Sequence, residues 1–89
     1  MHGRILIVDD VATNRIIYKV KLGDAFYEPL MAVDGKTCLA MARTERPDLI
    51  LMGLTLPDMP GTDVLRDLRA DPATRHIPVI ALSADRAPD

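Results

Sequence analysis

The sequence contains few aromatic residues, one cysteine and no long apolar run, and each shortage narrows what the protein can be. Aromatic residues make up 3% of the 89 residues, namely Tyr18, Phe26 and Tyr27, so any core must be aliphatic. The single cysteine, Cys38, excludes an internal disulfide framework and is expected to be a small buried hydrophobic residue on a helix. The apolar run near the start, Ile5–Val8, is too short to span a bilayer.

The charge pattern excludes further classes of protein. The formal net charge is -2, with no block of like charges, so the sequence does not have the cluster of lysine and arginine residues that is typical of a nucleic-acid binder. Asp9 and Asp10 follow the first apolar run directly, without a small-residue cleavage site, which argues against a signal peptide. We therefore expect a cytoplasmic protein with no nucleic-acid or membrane partner.

With 48% hydrophobic and 27% charged residues, residues 1–89 are predicted to form one small, marginally stable globular domain.

Strands and helices are predicted to alternate along the chain. Continuous apolar runs indicate strands covered on both faces, whereas apolar residues at helical spacing, such as Ile16, Ile17 and Val20, indicate helices. Pro29 places the second strand at a sheet edge because proline cannot donate to a ladder. The predicted strands are Arg4–Val8, Phe26–Val33, Asp48–Met52 and Pro78–Leu82, and the predicted helices are Ala12–Leu22, Lys36–Arg43 and Thr62–Ala70.

This β-α-β-α-β-α-β order predicts an α/β fold with a doubly wound parallel sheet, because parallel strands need helical crossovers that cover the faces. In such sheets ligands bind beyond the carboxyl ends of the strands. The residues at those ends are Asp9 and Asp10, then Gly53, then Ser83. The adjacent carboxylates suit Mg²⁺, a hard cation that takes oxygen ligands. The alternative is that one aspartate caps the first helix.

Three stretches of the chain resemble response-regulator receiver domains. They fall in the family's order, and the similarity runs from Arg4 to Ala84; the stretches are Ile5–Asp10 followed by Asn14, Pro47–Gly61, and His76–Ala84. Details such as Phe26–Glu28 and Asp71–Pro78 are most similar to PleD-type regulators, in which receivers precede a diguanylate cyclase domain. The resemblance implies a flavodoxin-like, CheY-like fold and a histidine kinase or phosphotransfer protein as partner.

The resemblance also implies roles for individual residues. In the family, an aspartate at the end of the third strand accepts the phosphoryl group, and that aspartate, the acidic pair and a backbone carbonyl hold Mg²⁺. A small hydroxyl residue bonds the phosphoryl oxygens, and a proline and a glycine shape the rim of the pocket. Gly53 stands at the position of the acceptor. Asp9, Asp10 and the Thr55 carbonyl match the metal ligands, with Asp10 as the more direct ligand. Ser83 matches the hydroxyl residue, and Pro57 and Gly61 match the rim.

Two departures from the family pattern shape the functional expectation. Gly53 has no side chain, so the nucleophile itself and one anionic metal ligand are lost, and Mg²⁺ should bind weakly. The sequence also stops at Asp89, before three elements of the family: another helix, a fifth strand that bears a phosphoryl-pairing lysine, and a final helix. The chain is therefore expected to be the N-terminal portion of a receiver, with an incomplete sheet.

An incomplete sheet would leave Val79–Leu82 as an apolar, unpaired edge strand. Exposed strand edges pair with other chains, and exposed apolar patches tend to be buried against another protein surface. We therefore expect a homodimer, or a partner-swapped fold, through this fourth-strand region.

Three functions remain open from the sequence. The leading one is a receiver module that cannot be phosphorylated and acts through protein contacts rather than as an enzyme. The second is a small Mg²⁺-dependent phosphotransferase or phosphatase with Asp9 or Asp10 as nucleophile, although no general acid or anion clamp accompanies the pair. The third is a non-functional fragment with assembly behaviour of its own.

Overall fold

A computed structural model describes residues 3–82, where strands and helices alternate as predicted. The strands are β1 (Arg4–Val8), β2 (Glu28–Ala32), β3 (Leu49–Gly53) and β4 (Val79–Leu82), and the helices are α1 (Ala12–Asp24), α2 (Gly35–Glu45) and α3 (Gly61–Ala70). Every strand pairs in parallel with its neighbours, in the order β2-β1-β3-β4. The predicted parallel α/β fold is confirmed.

The main core lies between one face of the sheet and the helices α2 and α3. Alternate residues of each strand point to this face because successive side chains of a strand point to opposite sides. The central members, Leu6, Ile50 and Met52, are at most 1% exposed. Val64 and Leu68 of α3 pack against them from the predicted face of that helix. Cys38 and Ala42 do the same from α2, so the expected burial of Cys38 is confirmed.

The end of α1 differs from the prediction. Gly23 was expected to stop the helix after Leu22, but α1 continues to Asp24. The chain leaves the helix at Phe26, which has a left-handed φ of 68°. The amide of Phe26 donates to the carbonyl of Gly23 at 3.0 Å, and the amide of Tyr27 donates to that of Leu22 at 2.9 Å. This is the Schellman arrangement that closes many helices, with phenylalanine where glycine is usual.

Five other elements, β2, α2, β3, α3 and β4, differ from their predicted bounds by one or two residues. β2 begins at Glu28 rather than Phe26, because Phe26 is needed for the helix closure. α2 begins at Gly35 and reaches Glu45, and the left-handed Arg46 (φ 49°) ends it just before Pro47. β3 includes Gly53 as its last residue. The edge position predicted for β2 from Pro29 is confirmed by the strand order.

β4 is less buried than its apolar sequence predicts. It forms the other edge of the sheet, and Ile80 is 50% exposed. The interpretation as a buried strand is therefore wrong at its central residues, whereas the expectation of an exposed fourth-strand edge is confirmed within residues 3–82. Ser83 and Ala84 lie outside the described residues. Over the part of the chain that is described, no helix is long and apolar enough to cross a bilayer.

Candidate functional site

The candidate site forms where the two central strands end. β1 and β3 are neighbours in the sheet, yet β1 continues into α1 on one side and β3 continues toward α3. The chain therefore leaves adjacent strands in different directions and opens a crevice at their carboxyl ends. A cleft of about 530 Å³ lies there, and its lining residues are Asp9, Asp10, Val11, Asn14, Tyr18, Gly53, Thr55 and Leu82.

Gly53 lies beside the acidic pair, as the sequence predicts. A Cβ built on Gly53 would lie 3.4 Å from the carbonyl oxygen of Val8 and 3.9 Å from the carboxyl group of Asp9. These are ordinary contact distances, so a side chain fits at position 53 without displacing its neighbours. The glycine leaves space next to Asp9 where a larger side chain would project into the cleft.

The two aspartates have different surroundings. Asp9 is 9% exposed, and its carboxylate accepts hydrogen bonds from the backbone amide of Val11 at 2.9 Å and from the Asn14 amide at 3.2 Å. Asp9 thus fixes the turn that precedes α1, but no side chain caps the helix at its N-cap residue, Val11, so the capping alternative is wrong, and Asn14 contacts the acidic pocket. Asp10 is exposed at the mouth of the cleft. Asp10 is therefore better placed than Asp9 to meet an incoming ion.

The donor set fits Mg²⁺ only in part. Two carboxylates border the cleft, Thr55 lines it, and all of these offer the hard oxygen atoms that Mg²⁺ takes. Both oxygens of Asp9 already accept protein hydrogen bonds, and position 53 supplies no oxygen from a side chain. Among residues 3–82 no group of three or more histidine, cysteine or acidic residues could hold a metal.

The predicted rim residues have unequal positions. Gly61 begins α3 and donates its backbone N–H to the carbonyl of Leu54 at 2.8 Å, and a bridge between Thr55 and Pro60 closes the loop after β3. Pro57 lies on this loop but outside the residues that line the cleft. Ser83 lies outside the described residues, so its predicted role stays a prediction.

Sequence reasoning missed two features of the cleft. Tyr18 contributes to its lining from the second turn of α1, and Arg15 donates to the backbone carbonyl of Asp9 at 2.8 Å. Both lie on the side of α1 that faces the sheet. Tyr18 lies four residues after Asn14, a spacing that places both on one face of a helix and is a usable signal, but the apolar residues of α1 dominated the sequence pattern.

Asp58 fixes the loop after β3 to the start of α2, which no sequence signal indicated. Its two carboxylate oxygens accept the backbone amides of Gly35 at 2.8 Å and Lys36 at 2.9 Å. These amides have no partner within the first turn of a helix, and the helix dipole favours a negative charge there. The hydrogen bonds from Gly35 and Lys36 hold the pKa of the Asp58 carboxyl below its ordinary value of 3.8.

The Asp58 contact predicts how stability depends on pH. A carboxyl whose pKa is lower in the folded state stabilises the fold above its unfolded pKa, and this contribution is lost as pH falls through the folded value. Asp58→Asn should therefore unfold at a lower temperature than the parent at neutral pH. The difference should shrink toward zero as the pH falls below about 3.8. Thermal unfolding followed by circular dichroism from neutral pH to about pH 2 measures both curves.

Asp67→Asn is the matched control, because Asp67 is an exposed α3 carboxylate that faces Arg66 at 3.9 Å. Its unfolding curve should stay close to that of the parent at every pH. A difference between Asp58→Asn and the parent that stays constant across the range would contradict the assigned role of the Asp58 charge.

A second groove, of about 620 Å³, lies between α2 and α3. It is on the side away from the carboxyl ends of the strands, since α3 ends there at Ala70. Its charged groups already have partners: Arg43 and Asp71 pair at 2.6 Å, and Asp67 faces Arg66. We therefore place the functional site at the cleft beside Gly53, although it is the smaller of the two.

Comparisons with known proteins agree with this geometry. The family model described as "Response regulator receiver domain" matches residues 5–89. Over 84 residues the chain is 46% identical to the response regulator PleD of Caulobacter vibrioides and 39% identical to the polar-differentiation response regulator DivK of Brucella anthropi. Both alignments cover 94% of this chain, but it spans only 18% of PleD and 68% of DivK.

Solved structures show the same fold. The receiver domain of a sensor histidine kinase from Pseudomonas aeruginosa, with a magnesium ion coordinated in its active-site cleft, has a TM-score of 0.90 and 32% identity. The alignment covers 96% of this chain and 70% of that one. The predicted resemblance to receiver domains is confirmed.

Proposed function

The chain belongs to the response regulator receiver domain family of two-component signalling, and from this premise we propose that it is a receiver module that cannot be phosphorylated at the usual position and works through protein contacts. The observation that carries the proposal is Gly53 at the tip of β3, beside the Asp9 carboxyl group. An acyl phosphate requires a carboxylate, and no adjustment of neighbouring pKa values can replace a missing nucleophile.

We propose that Mg²⁺ binds this cleft weakly. Asp10 would be the main carboxylate ligand, with the Thr55 carbonyl beside it and Asp9 contributing charge. Support comes from the exposed position of Asp10 and from the hydrogen bonds that occupy Asp9. The magnesium ion in the cleft of the Pseudomonas aeruginosa receiver supports the same location. Pro57 and Ser83 would shape and complete the pocket.

The partners we propose are a histidine kinase or a phosphotransfer protein, in the cytoplasm. Kinship with receiver domains, including one taken from a signal transduction histidine kinase of Syntrophus aciditrophicus, supports this choice. We also propose that residues 1–89 supply the N-terminal portion of a receiver domain, since the chain covers 65–73% of the receiver chains it superposes on.

A homodimer through the fourth-strand region is a further part of the proposal. β4 lies at the sheet edge, where backbone groups on its outer side can pair with another strand. Ile80 is 50% exposed on that strand, and Leu51, its partner in register, is half-buried beside it. Substitution of Ile80 should therefore weaken any dimer formed through this edge.

Acetyl phosphate tests the central claim. When the chain is incubated with acetyl phosphate and Mg²⁺, its intact mass should stay that of the unmodified polypeptide, because position 53 offers no carboxylate. The Gly53→Ala variant is a matched control and should behave identically. A stoichiometric gain of one phosphoryl group would overturn the proposal, and loss of that gain in Asp9→Asn would instead favour the enzymatic alternative with an acidic-pair nucleophile.

A further inference from the structure

Gly53 leaves a space beside the acidic pair at the carboxyl end of β3. A Cβ at this position would lie 3.4 Å from the carbonyl oxygen of Val8 and 3.9 Å from the Oδ2 atom of Asp9, and both are ordinary contact distances. The same glycine lines the cleft of about 530 Å³, together with Asp10 and Thr55. A small group therefore fits next to the Gly53 Cα without displacing its neighbours. We call this space, bounded by Val8, Asp9 and Gly53, the Gly53 slot.

The protein atoms around the Gly53 slot supply only part of what Mg²⁺ needs. Asp10 and Thr55 border the cleft, but both oxygens of Asp9 already accept hydrogen bonds from the protein, and a glycine at position 53 adds no side-chain oxygen. Mg²⁺ sites commonly combine one or two protein carboxylates with anionic oxygen atoms of a bound ligand. An anionic oxygen delivered into the Gly53 slot by a ligand would complete the set.

We propose that Mg²⁺ and a small monocarboxylate bind this cleft together, with the carboxylate in the Gly53 slot. The inference rests on the proposed weak binding of Mg²⁺ and names the ligand that strengthens it. A carboxylate suits the slot because it is planar, carries a single charge and offers the hard oxygen atoms that Mg²⁺ takes. Without the cation, the charges of Asp9 and Asp10 repel an anion, so binding of the carboxylate should require Mg²⁺.

The Gly53 slot favours formate, the smallest member of this class. A side-chain Cβ would be bonded to the Gly53 Cα at about 1.5 Å, whereas an atom of a free ligand must stay roughly 3.5 Å or more from the same carbon. A free carboxylate is therefore displaced outward into the cleft, and each added carbon increases the displacement. We expect formate to bind better than acetate, and acetate better than propionate. With three non-hydrogen atoms, formate should bind no more tightly than roughly the millimolar range.

Mg²⁺ titrations followed by amide chemical shifts test the joint site. With about 100 mM sodium formate, the apparent dissociation constant of Mg²⁺ should fall about threefold or more relative to sodium chloride at the same ionic strength, because two ligands that favour each other do so reciprocally. The amides of Asp10, Gly53 and Thr55 report on the cleft. Saturation-transfer difference spectra of the formate proton give the reciprocal measurement, and the signal should appear only when Mg²⁺ is present.

Two substitutions at position 53 are the matched controls. In Gly53→Ala the added methyl group occupies the Gly53 slot, so formate should no longer strengthen Mg²⁺ binding. In Gly53→Asp the chain supplies its own carboxylate, so Mg²⁺ should bind more tightly than in the parent and formate should add nothing. A Cβ at this position meets only ordinary contacts, so both variants should fold, which circular dichroism verifies.

Three results would contradict the joint site. They are the same Mg²⁺ binding (or none) in formate and in chloride, an effect of formate that persists in Gly53→Ala, and an effect of propionate as large as that of formate, which would place the anion outside the slot. The acetyl phosphate experiment is separate, since a phosphoryl gain there would overturn the proposed function. Loss of the formate effect alone would overturn only the joint site.

Discussion

Gly53→Asp should tighten Mg²⁺ binding by at least about tenfold over the parent chain. A carboxylate about 4 Å from a cation contributes up to roughly 4 kcal/mol per unit charge at an effective dielectric constant of 20, and a third of that changes the dissociation constant about tenfold. The aspartate should be accommodated, because a Cβ at position 53 meets only ordinary contacts with Val8 and Asp9. Amide chemical shifts of Asp10, residue 53 and Thr55 followed during a Mg²⁺ titration measure the effect.

Gly53→Ala and Gly53→Asn separate charge from volume in this experiment. Both fill part of the same space without adding an anion, so both should bind Mg²⁺ about as weakly as the parent chain. Equal binding by the parent and Gly53→Asp would mean that position 53 does not face the ion, and the assignment of the cleft would fail. Shifts confined to exposed acidic residues far from β1 and β3 would contradict the assignment as well.

Gly61→Ala should destabilise the fold by roughly 2–4 kcal/mol, within the range of overpacked or strained sites. A Cβ on Gly61 would lie 2.8 Å from the carbonyl oxygen of Gly53 and 2.9 Å from the Cα of Leu54. Both atoms belong to the backbone, so relief requires α3 to move away from the tip of β3. The hydrogen bond from the Gly61 amide to the Leu54 carbonyl resists that movement. Urea unfolding of both proteins gives the difference in free energy.

Gly23→Ala is the matched control for the same chemical change. Its Cβ would meet nothing within 4 Å, and Gly23 lies inside α1, where alanine is preferred over glycine. The substitution should stabilise the chain by up to about 1 kcal/mol. Destabilisation by both substitutions to a similar degree would show that contact at Gly61 is not the cause, whereas opposite signs would support the close approach of α3 to β3.

Positions 53 and 61 meet at one place in the molecule, the tip of β3. Gly53 leaves the cleft open on one side, and the carbonyl of the same residue receives the close approach of Gly61. The loop between Gly53 and Gly61 is attached to the start of α2, because the backbone amides of Gly35 and Lys36 donate to the Asp58 carboxylate.

The sequence predicts most of the fold because the fold depends on local patterns. Continuous apolar runs mark β1 and β3, and helical spacing marks α3 and its buried face of Val64 and Leu68. The alternation of the two types then requires parallel strands, and parallel strands place Asp9 and Gly53 at one edge. The end of α1 was predicted wrongly, because Phe26 takes the left-handed conformation that glycine usually supplies.

The amino-acid sequence by itself determined the order of strands and helices and the aliphatic core, since each follows from residue type or from spacing along the chain, and it places a glycine at position 53. Tertiary structure alone decided that Asp9 is held by Val11 and Asn14 while Asp10 stays exposed, that Asp58 binds the start of α2, and that Ile16 and Val20 face outward. The physical reason is that helical spacing shows which residues share a face, whereas the direction of that face depends on how the helix packs against the sheet.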